Sequence, residues 1–140
     1  METKAVSGIA LALLLTGVLT LSFTIQSVKA TGGVFIRADG SIDPPTVPIR
    51  RDGDVYTFTG NILDEIVVER SNIIVDGNGY TLQGSGSESG FHLEGISNVT
   101  IQNTNIQGFT SGVYLYGSSN NTISGNTITN NYLKGIDLYN

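Results

Sequence analysis

The chain has no cysteine, a single histidine (His92), and Met1 as its only methionine. Without cysteine there is no disulfide, so a chain destined for an oxidising compartment must draw its stability from packing alone. Positive charge is also sparse. Seven Lys and Arg face twelve Asp and Glu, for a net charge of −5. A nucleic-acid partner needs a basic footprint, and this composition argues against one. Proline is confined to Pro44, Pro45 and Pro48, where it opposes regular strand pairing. No apolar run after residue 30 is long enough for a helix of ordinary length.

The one long uncharged run is Ala5 to Ile25, preceded by Lys4 and followed by the small-x-small triplet Val28-Lys29-Ala30. This pattern is that of a signal peptide cleaved after Ala30. The alternative is an uncleaved anchor that meets the membrane only through residues 5–25, since about 20 apolar residues span a bilayer. Both place the remainder in a secreted, extracellular or cell-surface location. Cleavage removes two cations and one anion, leaving five basic against eleven acidic residues, a net of −6.

What the rest of the chain does have is repetition. Gly90-Phe91-His92-Leu93-Glu94-Gly95 recurs as Gly112-Val113-Tyr114-Leu115-Tyr116-Gly117 and as Gly135-Ile136-Asp137-Leu138-Tyr139-Asn140, at spacings of 22 and 23 residues. Ser71-Asn72-Ile73-Ile74-Val75 recurs as Ser97-Asn98-Val99-Thr100-Ile101 and Ser119-Asn120-Asn121-Thr122-Ile123. A period in the twenties marks a solenoid. Within each unit the apolar period is 2, so Val113, Leu115, Ile123 and Ile128 point inward on strands. Gly, Asn, Ser and Thr fill the gaps as turn formers. The expectation is an all-β, right-handed parallel β-helix of about three coils of about 22 residues. A leucine-rich repeat would need more Leu and a helical segment.

The organisation follows. Residues 1–30 are the leader. Residues 31–63, with strand candidates Val34-Phe35-Ile36 and Val55-Tyr56-Thr57-Phe58, are an N-terminal cap of the kind solenoids require. Residues 64–140 are the coils. They stop within the third Gly-x-x-Leu strand, so further coils are expected beyond Asn140. Asn72, Asn98 and Asn120 occupy one place in successive coils, which predicts a stacked amide ladder. Asn98-Val99-Thr100 and Asn120-Asn121-Thr122 also read as glycan acceptor motifs.

The Ser-Asn-x-Thr-Ile, Gly-Asn-x-Ile and Gly-Ile-x-Leu patterns, most complete in Ser119 to Asn131, resemble the NosD-like right-handed parallel β-helix proteins. That group overlaps with carbohydrate-binding and sugar-hydrolysing domains. The resemblance covers roughly Asp64 to Asn140, and the leader resembles those of exported archaeal proteins. It implies the fold, and an activity drawn from enzymes, binders, surface layers and a copper-enzyme maturation factor. Copper needs several His, Cys or Met ligands, and one imidazole does not supply them.

Aligning the Gly-x-x-Leu strands with Ile66-Val67-Val68-Glu69 gives two outward columns. One is Val67, His92, Tyr114, Asp137; the other is Glu69, Glu94, Tyr116, Tyr139. Coils about 4.8 Å apart would bring His92, Glu94, Tyr114, Tyr116, Asp137 and Tyr139 onto one face. Tyrosines suit the C–H surfaces of sugar rings and carboxylates suit sugar hydroxyls. A strand surface with ordinary aromatic enrichment has the same composition. Glu69 and Glu94, directly stacked, repel unless a cation such as calcium lies between them. No catalytic residues and no other cofactor are assigned. The functional expectation is an exported, non-catalytic module that binds a polysaccharide or cell-surface component. The alternative is the first part of a polysaccharide hydrolase or lyase with its catalytic coils beyond residue 140.

Overall fold

A computed structural model describes residues 32–140. The expected leader, residues 1–30, lies outside the described residues. In the first turn, β1 (Val34–Ile36), β2 (Ile42–Asp43), β3 (Ile49–Asp52) and β4 (Val55–Phe58) follow one another. The second turn has β5 (Ile66–Val68), β6 (Ile73–Asp76) and β7 (Thr81–Gln83). The third has β8 (Ser89–Glu94), β9 (Val99–Gln102) and β10 (Asn105–Gln107). The fourth has β11 (Ser111–Tyr116), β12 (Thr122–Ser124) and β13 (Thr127–Thr129), and β14 (Lys134–Tyr139) follows. There is no helix among the described residues.

The strands stack into three sheets, ordered β2-β1-β5-β8-β11-β14, β3-β4-β6-β9-β12 and β7-β10-β13. Every pairing is parallel except β1 with β2 and β3 with β4. The solenoid therefore has about four turns, where the repeats alone suggested three. The extra turn comes from residues whose sequence does not match the repeat. Both strand candidates, now β1 and β4, pair in parallel with β5 and β6 and extend the stack.

The period-2 pattern produces the core. Val34, Ile36, Ile66, Val68, Phe91, Leu93, Val113 and Leu115 line the inside of the first sheet. Ile73, Val75, Val99 and Ile101 face them from the second sheet, and Leu82 and Ile106 from the third. Leu93, Leu115 and Leu138 form one column. Leu138 is 69% exposed because β14 is the edge strand of its sheet.

The chain turns between sheets at residues with positive φ. In the third turn these are Gly95, Asn98, Asn103 and Gly108; in the fourth they are Gly117, Asn120, Gly125 and Asn130. Each lies 22 residues after its predecessor. The left-handed conformation costs other residues about 1–2 kcal/mol, and Asn and Gly adopt it most readily. This corrects the reading of the asparagine column. Asn98 Nδ2 does donate to Asn72 Oδ1 at 2.9 Å. Yet these side chains are exposed, and no side-chain bond joins Asn120 to Asn98 among the described residues. The repeated Asn serves mainly the backbone conformation. Asn98→Ala is accordingly expected to cost about 1–2 kcal/mol, while Asn98→Gly keeps the melting temperature. Equal losses in the two variants would show that the amide ladder, and not the backbone, is what the asparagine stabilises.

The amides that do tie coils together are Asn121, Asn126 and Asn131. Each Oδ1 accepts a backbone N–H from the coil beneath, from Val99 (2.9 Å), Thr104 (2.9 Å) and Phe109 (3.0 Å). Each Nδ2 donates to a carbonyl there, of Ile96 (3.1 Å), Ile101 (2.8 Å) and Ile106 (3.5 Å). Strand pairing lapses at the corners, and these side chains satisfy the backbone groups left over.

Candidate functional site

The first sheet positions the candidate face. In β8, Phe91 and Leu93 are fully buried, so His92 and Glu94 must point outward. The same parity in β11 and β14 sends Tyr114, Tyr116, Asp137 and Tyr139 to the outer side. The register pairs Val67 with His92, His92 with Tyr114, and Tyr114 with Asp137. It also pairs Glu94 with Tyr116 and Tyr116 with Tyr139. All six expected residues lie on one face, in the columns read from sequence.

Side-chain contacts follow from that stacking. The His92 and Tyr114 rings have centroids 5.0 Å apart at 57°. Tyr114 reaches its diagonal neighbour Tyr139 at 5.6 Å and 46°, a distance typical of favourable aromatic pairs. Burial, with Tyr139, Glu94 and Asp137 nearby, pushes the Tyr114 phenol above its ordinary pKa, so it stays neutral. Tyr116 and Tyr139 are about half exposed, at 47% and 46%.

The charges on the face divide into engaged and free. Lys134 Nζ donates to Asp137 Oδ1 at 2.5 Å and lies 5.1 Å from the centroid of the Tyr139 ring. The hydrogen bond to Asp137 holds the Lys134 pKa above its ordinary value, against the opposing effect of burial. Asp137, expected as an open carboxylate, is instead buried, with only 8% of its surface exposed. Glu94 keeps 69% of its side chain in solvent, with His92 Nε2 3.9 Å away.

The proposed calcium pair needs correction. Glu69 Oε1 accepts from Arg37 Nη1 at 3.1 Å, so a guanidinium already supplies the positive charge that a cation would bring. Among the described residues, no three His, Cys, Asp or Glu side chains gather to hold a metal ion. Arg37 follows β1, 32 residues away in sequence, where no repeat pattern could place it beside Glu69.

His92 stands between two depressions. One, of about 330 Å³, is bordered by Val67, Glu69, Glu94 and Ile96. The other, of about 270 Å³, is bordered by Glu88, Ser89, Tyr114, Leu133 and Asp137. Glu88 and Ser89 were missed as candidate residues. Glu88 ends the Gly-Ser-rich segment directly before β8 and Ser89 is the first residue of β8, and that position beside His92 is the signal that could have found them. A third depression, of about 380 Å³, includes Asp64, Glu65 and Glu88. There burial, then Glu88 and Asp64, raise the Glu65 carboxyl above its ordinary pKa.

A family model described as the right handed beta helix region matches residues 22–140. No curated protein and no solved structure matches the chain. The matched span covers most of the chain, and the stacked parallel sheets agree with it: the chain belongs to the right-handed β-helix family.

Proposed function

We propose that this chain is an exported, non-catalytic β-helix module that presents the outer face of β8, β11 and β14 to a polysaccharide or a glycan-bearing surface. The contiguous run of His92, Tyr114 and Tyr139 rings, with Tyr116 exposed beside it, carries this reading. Sugar rings present C–H surfaces that pack on such aromatic groups, and Glu94 offers an acceptor for hydroxyls. Export is supported by the composition of residues 1–30, and a glycan ligand fits the resemblance of the repeats to NosD-like proteins.

The non-catalytic reading is supported by the state of the carboxylates. Of the carboxylates in the two outward columns, Asp137 is bound to Lys134 and Glu69 to Arg37, which leaves Glu94 alone, with His92 Nε2 3.9 Å away. An acid–base pair flanking a scissile bond would need two available carboxyl groups.

The test is a double variant, Tyr114→Ala with Tyr116→Ala. At about 0.5–1.5 kcal/mol per aromatic contact, the pair should lower polysaccharide affinity about tenfold. The β-sheet circular dichroism should stay intact. A folded wild-type chain that binds nothing on a broad glycan panel would refute the proposal.

A further inference from the structure

Building on the reading of this face as a glycan surface, we infer that its ligand is an amino-sugar polymer carrying free ammonium groups. The argument rests on which charges are left over. Glu69, Glu88, Glu94 and Asp137 border the two depressions, and Arg37 and Lys134 are the cations paired to this group. With Asp43, the other carboxylate bound to Arg37, five anions stand against two cations and leave an excess of three negative charges. Both cations are spent internally. Arg37 donates to Asp43 at 2.5 Å and to Glu69 at 3.1 Å, and Lys134 donates to Asp137 at 2.5 Å. The uncommitted groups are therefore carboxylates. Glu94 is largely exposed, and Glu88 has no ion-pair partner among the described residues. A uronate polymer would meet like charge here, and a neutral one would engage these carboxylates through hydroxyls alone and leave their charge unbalanced.

The face already contains one copy of the contact required. The ammonium of Lys134 lies against the Tyr139 ring, 5.1 Å from its centroid, while bonded to Asp137. A tyrosine ring and a carboxylate together capture an alkylammonium, by cation–π attraction and charge-assisted hydrogen bonding. Tyr116 and Glu94 are direct neighbours in the register; Tyr116 is as exposed as Tyr139, and Glu94 is far more exposed than Asp137. They offer the same combination to an ammonium from outside. A sugar polymer is favoured over a basic peptide by the position of the face. Peptides commonly add to the open edge of a sheet; the edge here is β14, whereas Glu94 and Tyr116 stand on β8 and β11, interior strands with partners on both sides. What they present is flat rings and carboxylates.

The full chain is tested in mildly acidic buffer on immobilised chitosan, on its acetylated counterpart chitin, and on polygalacturonate. Retention should be strongest on chitosan, weaker on chitin and absent on polygalacturonate. Glu94→Gln, at an exposed position, should weaken chitosan binding about two- to fivefold, the range of an exposed ion pair, and weaken chitin binding less, because the amide keeps an acceptor for hydroxyls. Tyr116→Ala should weaken both. Equal retention on chitosan and chitin, no effect of Glu94→Gln, or binding to polygalacturonate overturns the charge preference while the glycan face stands. Displacement by polylysine without any dependence on Tyr116 overturns it in favour of general polycation binding. Failure to bind these three overturns the amino-sugar preference, and failure on the broad glycan panel as well refutes the face itself.

Discussion

One methyl group added at Gly112 is expected to destabilise the stack by about 3 kcal/mol, at the upper end of the usual cost of overpacking. A Cβ there would lie 2.5 Å from Ile128 Cγ2, 2.6 Å from the carbonyl oxygen of Gly135 and 3.0 Å from Asn131 Nδ2. The Gly135 carbonyl cannot retreat without disturbing the pairing of β11 with β14. The Ile128 methyl packs against the core, and Asn131 is engaged with the coil beneath. Gly90 repeats the arrangement one coil earlier, where a Cβ would strike the Gly112 carbonyl oxygen and come 2.7 Å from Ile106 Cγ2. Neither glycine has positive φ, so the requirement is space, not conformational freedom. Gly135 supplies the control. Its Cβ would meet only Ile128 Cγ2, at an ordinary 3.6 Å, and Gly135→Ala should leave the urea midpoint nearly unchanged. Equal shifts in the two variants would show that the glycine column has another cause.

This column explains why the glycine of the Gly-x-x-Leu motif was so visible in the sequence. Identical contacts recur in each coil, so the same residue is demanded each time and a period appears. The first turn escaped that logic. β1 and β4 satisfy the sheets through backbone pairing and through Val34, Ile36, Tyr56 and Phe58, all fully buried. Backbone pairing places no demand on residue identity, so nothing in residues 34–58 copies the later motif and the turn went uncounted. The outward columns were legible for the same reason as the core: a strict period of 2 fixes both faces at once. What parity cannot show is which side chains combine on a face. The engagement of Asp137 by Lys134 and of Glu69 by Arg37 depends on long side chains whose direction the repeat does not encode.

The asparagines show the same limit. Asn120 and Asn121 are neighbours in sequence with opposite duties. Asn120 adopts positive φ with its side chain exposed, and Asn121 reaches to the coil beneath. The stronger signal was the spacing of five from Asn121 to Asn126 to Asn131, each directly after a left-handed residue. One such residue falls at each corner of a coil. In the coil beneath, the corresponding positions are Val99, Thr104 and Phe109, so the pattern does not persist along the chain and a search by repeat period passes over it.

Asn126→Ala should therefore be more damaging than Asn98→Ala. It removes the acceptor of the Thr104 N–H and the donor to the Ile101 carbonyl together, at 2.9 and 2.8 Å. Thr104 and Ile101 are each 1% exposed, so water has little access to replace either bond. An unpaired buried group costs about 1–3 kcal/mol, and two of them predict a loss of about 2–6 kcal/mol in urea unfolding. Asn126→Asp adds a test of direction. It keeps an acceptor for Thr104 but turns a carboxylate oxygen toward the Ile101 carbonyl, which disfavours the ionised form. The folded-state pKa of the new carboxyl is thus raised above its unfolded value. Its stabilising contribution is present at low pH, where the protonated oxygen can donate to Ile101, and is lost as pH rises through the folded pKa. The stability difference between Asn126→Asp and the unaltered chain should accordingly narrow as the solution is acidified. The comparison cancels the titration of the other carboxylates. A difference that stays constant, or widens in acid, would mean that the Asn126 amide is not holding the Ile101 carbonyl.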